Sequence, residues 1–440
     1  MTTAETPWFK SLNKKQWNSL FASNLGWMFD GYETYALILT IGVVLKQLLD
    51  PSLYPKIPFY AGSIIAITLL GWGIGGLIGG VLADYIGRKK MMIYSILSYS
   101  ILTGLSATAQ DWTTFAILRF IVGIAIGSEW ATGTAMVAEL WPDKHRGKGA
   151  GLMQCGLGIG FFIASLTWLY VSPLGADSWR IMYVIGIIPA LATLWIRSGI
   201  PESALWEEVN QKRLDAVERQ KAGNVANNDR ELTRFTLFDL FLNKESRKYT
   251  LIALLMSLTT TLGWWGISTW VPPYIAQEAA KSGLVAQKWA SYAGMAYNFG
   301  AVLGYIGFGF LADRFGRKPI AILFFAMALL LTPVLFLWTH DLQLLLIVAA
   351  FNAFFSLGQY TWMPTWLPEL YPTRMRATAV AFGFNAPRFV AFLGPLVAGN
   401  LIVEFGGFGN SAVIVSMIYF LGLAAAPFLP ETAGKALPQT

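Results

Sequence analysis

The chain has 440 residues, of which 55% are hydrophobic and 13% charged, and its mean hydropathy is positive. Soluble globular domains carry about a quarter charged residues, so this composition excludes an ordinary soluble enzyme and indicates a polytopic helical membrane protein. The net charge of +7 does not indicate nucleic-acid binding, because the basic residues lie in short loops between apolar runs.

Twelve apolar runs follow one another along the chain, each close to the roughly 20 residues that a membrane-spanning helix needs. Helix is expected because backbone hydrogen bonds must be satisfied internally in lipid. The runs lie at 24–46, 59–83, 91–109, 113–140, 150–172, 179–197, 248–276, 288–312, 320–338, 343–368, 377–402 and 411–429. We therefore predict an all-α membrane protein with twelve transmembrane helices.

One long polar segment, 198–247, separates spans 6 and 7. It divides the chain into an N-terminal six-helix bundle (1–197), a cytoplasmic linker (198–247) and a C-terminal six-helix bundle (248–440). If the N-terminus is cytoplasmic, most of the 32 Lys and Arg residues fall on the cytoplasmic side, as the positive-inside rule requires. We therefore expect both termini in the cytoplasm.

No cofactor or metal is expected. Cys155 is the single cysteine, so an intrachain disulfide framework is excluded, and no Cys/His cluster has metal-ligand spacing. Residues 1–23 are polar and basic and contain no short apolar stretch before a cleavage site, so we expect no secretory signal peptide.

The two halves of the chain share three motifs, each recurring after about 230 residues, as in transporters built from structural repeats. The segments Gly80–Lys89, Glu139–Pro142 with Arg146, and Pro201–Ala204 return as Gly309–Lys318, Glu369–Pro372 with Arg376, and Pro430–Ala433. Such repeats place the substrate site near the bilayer midplane, between the halves.

These motifs together resemble the major facilitator superfamily over essentially the whole chain. A narrower series resembles the sialate:proton symporter family, which includes carriers of lactate and related monocarboxylates: Pro7-Trp8-Phe9, Leu12–Trp17, Asp30-Gly31-Tyr32-Glu33, Gly127–Trp130 and Ile200-Pro201-Glu202. The Asp30–Glu33 element is also similar to the first-helix motif of aromatic acid:proton symporters. All these families imply proton-coupled uptake of an organic anion.

Three acidic residues at membrane depth, Asp30, Glu33 and Glu129, are candidate proton carriers. Charged residues inside a membrane are costly and mark transport pathways. Asp30 and Glu33 share one face of helix 1, and burial and a like charge both disfavour an ionised carboxylate. We favour Asp30 for coupling. The competing interpretation is a static ion pair between one of these acids and Arg119.

Two arginines at membrane depth are candidate anion-binding residues. Arg388 follows Asn385 in helix 11, and its planar guanidinium suits bidentate binding of a carboxylate. Arg119 lies nearer the outer end of helix 4, where a structural ion pair is the stronger interpretation. The alternative for Arg388 is an ion pair with an acidic residue across the interface between the halves.

Other residues could line the cavity or simply pack between helices. The aromatic candidates are Tyr32, Trp264, Trp265, Tyr360 and Trp362, and the polar candidates are Gln154, Asn298 and Gln359. Gln359 and Tyr360 occupy the repeat positions of Glu129 and Trp130.

Charged residues of the repeated loops lie at predicted cytoplasmic helix ends, where ion pairs can form in one conformation and break in another. We interpret them as gating pairs: Asp84 with Arg88, Asp313 with Arg317, Glu139 with Arg146, and Glu369 with Arg376.

We therefore expect a monomeric, multi-pass symporter of the bacterial inner (plasma) membrane, and not an enzyme. It would import a small organic carboxylate, such as lactate or sialic acid, together with protons by alternating access. The alternatives are an aromatic acid:proton symporter, a proton-driven exporter and a transporter-like sensor.

Overall fold

The computed structural model describes residues 7–224, 226, 229–392 and 408–438. All regular secondary structure in these residues is helical. Seven α-helices precede the polar segment: α1 (Lys14–Leu48), α2 (Ile57–Ile86), α3 (Arg88–Ser106), α4 (Trp112–Leu140), α5 (Arg146–Val171), α6 (Ser178–Ile185) and α7 (Pro189–Gly199). We refer to these helices as the N-terminal half.

The polar segment holds three further helices, α8 (Ala204–Lys221), α9 (Asp229–Leu232) and α10 (Thr236–Leu242). The helices after it form what we call the C-terminal half: α11 (Lys244–Ile267), α12 (Val271–Lys281), α13 (Ala286–Phe315), α14 (Arg317–Pro333), α15 (Leu342–Ser356), α16 (Trp362–Leu370), α17 (Arg376–Asn385), α18 (Arg388–Ala391), α19 (Phe408–Ser416) and α20 (Tyr419–Ala425).

Within the described residues, nine helical stretches are long and apolar enough to cross a membrane. They coincide with nine of the predicted spans. Of the other three, span 3 is the single helix α3 and span 6 consists of the two short helices α6 and α7. Span 11 begins with α17 and α18, and its part at 393–402 lies outside the described residues.

Several predicted spans are interrupted where the sequence predicted one continuous helix. Three of the breaks coincide with prolines: Pro189 begins α7, Pro272 and Pro273 begin α12 after a 3-10 turn, and Pro387 separates α17 from α18. Proline lacks a backbone N–H donor and clashes with the preceding turn, so it ends or kinks a helix. Hydropathy alone does not reveal such breaks.

The two halves meet along two pairs of helices, α2 with α17 and α5 with α13. Glycines allow these backbones to approach closely. A Cβ atom on Gly80 would overlap the Ala381 side chain, and one on Gly151 would lie only 2.7 Å from the carbonyl oxygen of Tyr305. The seam between the halves is therefore tightly packed beside the repeated loops.

Both described chain ends lie at the same end of the molecule as the repeated loops, and we call this end the terminal face. Trp8 packs on Phe310, and the backbone carbonyl of Pro438 accepts a hydrogen bond from Arg376 at 2.9 Å. The repeated loops turn at Gly87 and Gly316, whose φ angles of 106° and 102° favour glycine. The sequence repeat is thus also a repeat of backbone conformation.

The repeated glutamates Glu202 and Glu431 cap the helices that follow these two glycines. Glu202 accepts hydrogen bonds from the backbone N–H groups of Arg88 and Lys89 at the start of α3. Glu431 accepts them from Arg317 and Lys318 at the start of α14, at 2.9 and 3.0 Å. Carboxylates at helix N-termini satisfy unpaired donors and complement the helix dipole.

The pKa of Glu431 shows whether burial or the backbone N–H donors have the larger influence on this carboxylate. Burial alone would raise this pKa, but the backbone donors outweigh burial and hold it below the ordinary value. At Glu202 burial has the larger effect, and the pKa is raised. The charged form of Glu431 therefore stabilises the folded protein at neutral pH, and this contribution is lost as the pH falls through its lowered pKa.

We expect Glu431→Ala to destabilise the protein by about 1–2 kcal/mol, because the first N–H groups of α14 lose their acceptor. Thermal unfolding of the purified protein at neutral pH measures this, with the exposed linker residue Glu218→Ala as control. The difference in unfolding temperature between Glu431→Ala and the wild type should become smaller as the pH is lowered. Equal unfolding temperatures for the two variants would contradict the capping role.

Candidate functional site

Two acidic side chains meet inside the N-terminal half. Asp30 of α1 and Glu129 of α4 are both fully buried, and the Glu129 carboxylate lies against α1 one turn from Asp30. Within the described ranges, neither carboxyl accepts a hydrogen bond from another group or forms an ion pair. Two buried carboxyl groups near each other, with no described cation beside them, repel when both are ionised, so protonation of at least one is favoured.

A glycine makes room for this acid pair. Gly26 lies one turn before Asp30 on α1, and a Cβ atom there would overlap the Glu129 carboxylate. Tyr99 of α3 lies nearby and, like Ser100, has a buried hydroxyl group with no partner in the described part of the chain. Neither Gly26 nor Tyr99 stands out in the sequence, because glycine and tyrosine are common in membrane helices.

The third acid has a different environment. Glu33 forms a buried bidentate ion pair with Arg119, with 2.9 Å between Arg119 Nη2 and Glu33 Oε2. Thr103 donates a further hydrogen bond to Glu33 at 3.3 Å, and the guanidinium lies 5.6 Å from the Tyr183 ring centroid. This is the static pair that the sequence left as the competing interpretation, and it joins α1 to α4.

Arg388 lies in the C-terminal half, next to a cavity between the halves. It is 3% exposed, and its Cζ atom lies 4.0 Å from the Phe384 ring centroid and 4.7 Å from that of Trp72. Its guanidinium donates to the carbonyl oxygen of Phe384 and lies beside the Tyr360 side chain. Arg388 forms no ion pair with any of the described residues. A buried, uncompensated cation favours binding of an anion.

The cavity has a volume of only about 10 Å³, room for about one water molecule, and is lined mainly by aromatic side chains. Trp264 and Tyr360, both named from the sequence, are among them, and Trp265 lies next to Trp264 at a ring-centroid distance of 4.5 Å without lining the cavity. Trp27 and Trp72 were missed, because an isolated tryptophan in an apolar run carries no charge or repeat signal.

Three of the remaining polar candidates, Tyr32, Gln154 and Gln359, make hydrogen bonds within their own halves, and Asn298 of α13 interacts with α1 of the other half. Tyr32 donates to the Met182 carbonyl at 3.1 Å, and Gln154 accepts from the Trp130 indole at 3.0 Å. Gln359 accepts from Thr260 at 2.7 Å, and Asn298 interacts with the Tyr35 hydroxyl.

Asn385 lies in the seam between the halves. Its side-chain amide donates to the Ala381 carbonyl at 2.9 Å and fills the space that a Cβ atom on Gly76 would need. Its carbonyl oxygen has no partner among the described residues. Asn385 therefore packs one turn away from Arg388 and keeps a free acceptor.

Ion pairs connect the halves at the terminal face. Asp84 pairs with Arg88 at 2.9 Å and Asp313 with Arg317 at 2.7 Å, as expected. Each aspartate also accepts backbone N–H groups from the opposite half: Asp84 from Thr378 near the start of α17, and Asp313 from Gly147 and Lys148 near the start of α5.

The expected pairs Glu139–Arg146 and Glu369–Arg376 are exchanged between the halves. Glu139 binds Arg376 at 2.9 Å, and Glu369 binds Arg146 at 3.0 Å. The Nε–H group of Arg146 donates to the Ala138 carbonyl, and that of Arg376 donates to the Pro368 carbonyl, each within its own half. This leaves Nη1 of each arginine to reach the glutamate of the other half. Glu139 also binds Arg88, and Glu369 also binds Arg317.

The C-terminal tail covers these exchanged pairs. The Lys435 carbonyl accepts a hydrogen bond from Arg146 at 3.3 Å, and the Pro438 carbonyl accepts one from Arg376 at 2.9 Å. The tail therefore contacts one arginine from each half.

We expect Glu139→Gln to loosen the terminal face, because a buried ion pair that loses one partner leaves an uncompensated charge. A reporter Ala381→Cys, buried in the seam, can be introduced after Cys155→Ser removes the one native cysteine. Labelling of this reporter by a maleimide should accelerate about tenfold or more.

The matched control is Glu208→Gln, because Glu208 pairs with Lys212 on the exposed linker surface. Equal labelling rates in the two variants would show that the exchanged pairs do not keep the seam closed.

Comparison with known proteins identifies the family. Residues 20–440 match the sugar (and other) transporter family, and the chain belongs to this family of the major facilitator superfamily. The solved structure of XylE, a proton:xylose symporter bound to 6-bromo-6-deoxy-D-glucose, superposes with a TM-score of 0.72 over 96% of this chain and 98% of that one, at 22% identity. The fold class predicted from the sequence is confirmed: the chain is a multi-pass membrane transporter and not an enzyme.

Three relatives cover most of the chain. A putative metabolite transport protein of Haemophilus influenzae is 31% identical over 97% of this chain and 99% of its own. The cis,cis-muconate transport protein of Acinetobacter baylyi is 30% identical over 84% and 85%. The sialic acid transporter NanX of Escherichia coli is 27% identical over 94% of both chains. The predicted resemblance to sialic acid carriers is thereby confirmed, and the relatives also include carriers of the aromatic acids gentisate and benzoate.

Proposed function

We propose that the chain is a proton-coupled symporter that imports an organic carboxylate by alternating access. The observation that carries this proposal is that a buried cation and two buried acids without ion-pair partners lie in different halves of the molecule. Arg388 of the C-terminal half forms no ion pair with a described acid, and Asp30 and Glu129 of the N-terminal half form none with a described base. A transported anion and a transported proton would supply the missing charges.

Arg388 is the proposed anion-binding residue, with Tyr360 and Asn385 beside it. A guanidinium stays charged and cannot carry the proton, and its planar donors match a carboxylate. Its position between the rings of Trp72 and Phe384 holds the cation without neutralising it.

Asp30 and Glu129 are the proposed proton carriers. Both are buried, and the Glu129 carboxylate lies one turn from Asp30 along α1, so loss of their protons leaves two charges that repel each other and need solvent. This couples protonation to a change in exposure. Glu33 is neutralised by Arg119, so we assign it to positioning of α1 against α4.

The substrate class follows from the cavity. Relatives carry muconate and sialic acid, and both are carboxylates. The aromatic lining, with Trp27, Trp72, Trp264, Tyr360 and Phe384, offers flat apolar faces, which favour a planar, unsaturated or aromatic acid. The second candidate function is therefore an aromatic acid:proton symporter. The aromatic lining favours an aromatic acid over a polyhydroxylated acid as the substrate.

The terminal face is the proposed cytoplasmic side of the bacterial inner membrane. The basic loops of the positive-inside rule lie there, and the exchanged ion pairs close it. We propose a monomer of two domains, divided at 198–247, that rock about the midplane cavity.

Uptake into proteoliposomes tests the function. Labelled benzoate, cis,cis-muconate, lactate and sialic acid are supplied outside with an inwardly directed proton gradient. At least one acid should accumulate, and a protonophore should abolish the accumulation. Uptake that requires sodium and ignores the protonophore would refute proton coupling. Gradient-driven efflux would indicate an exporter, and binding without flux would indicate a sensor.

Substitutions of Asp30, Glu129 and Glu33 should affect exchange and accumulation in different ways. Asp30→Asn and Glu129→Gln mimic permanently protonated acids, so counterflow exchange should persist while gradient-driven accumulation falls at least about tenfold. Glu33→Gln leaves Arg119 buried and unpaired, so exchange and accumulation should fall together. Both activities are measured on the same reconstituted samples. Normal accumulation by both Asp30→Asn and Glu129→Gln would remove these residues from coupling.

A further inference from the structure

Three buried hydrogen-bond donors beside the cavity have no partner in the described parts of the chain. They are Arg388 Nε, Trp27 Nε1 and Trp72 Nε1. Arg388 is 3% exposed, Trp27 1% and Trp72 4%, and all three residues line the same cavity. Buried polar groups are nearly always paired, because an unpaired one loses its hydrogen bonds to water and gains nothing. Three such donors at one cavity define a place where acceptor atoms are favoured.

The rings that carry these donors contact one another. The ring centroids of Trp27 and Trp72 lie 6.1 Å apart at an interplanar angle of 74°. The Arg388 guanidinium carbon lies 4.7 Å from the Trp72 ring centroid. The side chains that carry the three donors therefore form one cluster, and a ligand enters it only when the cavity widens.

Neighbouring tryptophans behave differently. The indole of Trp130 donates to Gln154 at 3.0 Å, and that of Trp362 donates to Thr260 at 2.9 Å. The Trp130 ring also stacks on Phe384 at a centroid distance of 3.6 Å, so it belongs to the same aromatic group. Unpaired indole donors are therefore a property of Trp27 and Trp72, and not of every buried tryptophan here.

We propose that Trp27 and Trp72 are substrate-binding residues whose indole N–H groups donate hydrogen bonds to the carboxylate held by Arg388. This inference rests on the proposed function and adds two binding residues to it. A carboxylate has two oxygens with about four acceptor positions, which is enough for the guanidinium and two indoles together.

Such a site distinguishes a carboxylate from its amide. In the amide an NH₂ donor replaces one acceptor oxygen, and this NH₂ group would face the N–H donors of the protein. A site that offers only donors therefore binds the amide much more weakly than the acid. The donors also come from both halves, because Trp27 and Trp72 lie on α1 and α2 and Arg388 follows α17. The bound anion would therefore join the two halves.

The test compares acid and amide binding in matched variants of the purified full chain. Binding of benzoate, cis,cis-muconate, lactate and sialic acid, and of benzamide and lactamide, is measured by isothermal titration. We expect Trp27→Phe and Trp72→Phe each to weaken acid binding about tenfold and to leave amide binding little changed. The control Trp130→Phe should preserve the preference for acid over amide, because its indole already has a partner in Gln154.

Because phenylalanine is smaller than tryptophan, each indole is also replaced by the isosteric benzothiophene amino acid, which keeps the ring and removes the N–H donor. The same loss of acid binding is expected. If the acids bind and depend on Arg388, as shown by weaker binding in Arg388→Lys, but both benzothiophene variants bind normally, this inference is wrong and the proposed function stands. If none of these acids binds the wild type, the proposed function fails, and this inference fails with it.

Discussion

An ionised side chain in a membrane interior must find a counter-charge, share a proton or face a polar ligand, because the surrounding lipid offers none of the hydration that water gives. Each solution is used at a different place in this molecule. Glu33 and Arg119 neutralise each other by a bidentate pair, and Asp30 and Glu129 are buried near each other, where protonation removes their repulsion. Arg388 is left beside a cavity. The helices are arranged so that the last two solutions lie in different halves.

Close helix packing makes this distribution of charge possible. Gly26 admits the Glu129 carboxylate next to α1, and Gly76 admits the Asn385 amide next to α2. In both cases a polar group occupies the volume that a methyl group would take. The glycines therefore position functional groups as well as allowing helices to approach, and a larger residue would displace a polar side chain as well as a backbone.

Much of this arrangement could be predicted from the sequence. Charges inside apolar runs identified the residues that carry the proposed chemistry, and the internal repeat located the seam. The sequence could not assign the partner of Arg119, because Asp30, Glu33 and Glu129 all lie at compatible depths and the packing of α1 against α4 selects Glu33. It also missed Trp27 and Trp72, whose importance comes from unpaired donors that only a packed structure reveals. The prolines that divide spans 6, 7 and 11 were visible, but hydropathy averages over them.

The exchange of ion pairs at the terminal face has a consequence for how the two repeats can diverge. Each motif arginine binds the glutamate of the other repeat, so a change in one copy removes the partner of a residue in the second copy. The loops must therefore vary together or not at all, and Gly87 and Gly316 still share one backbone conformation. At membrane depth the two copies differ, because Gln359, at the position equivalent to Glu129, binds Thr260 of its own copy. One copy therefore carries the acidic groups at that depth and the other carries Arg388, although the loops of both copies share one frame.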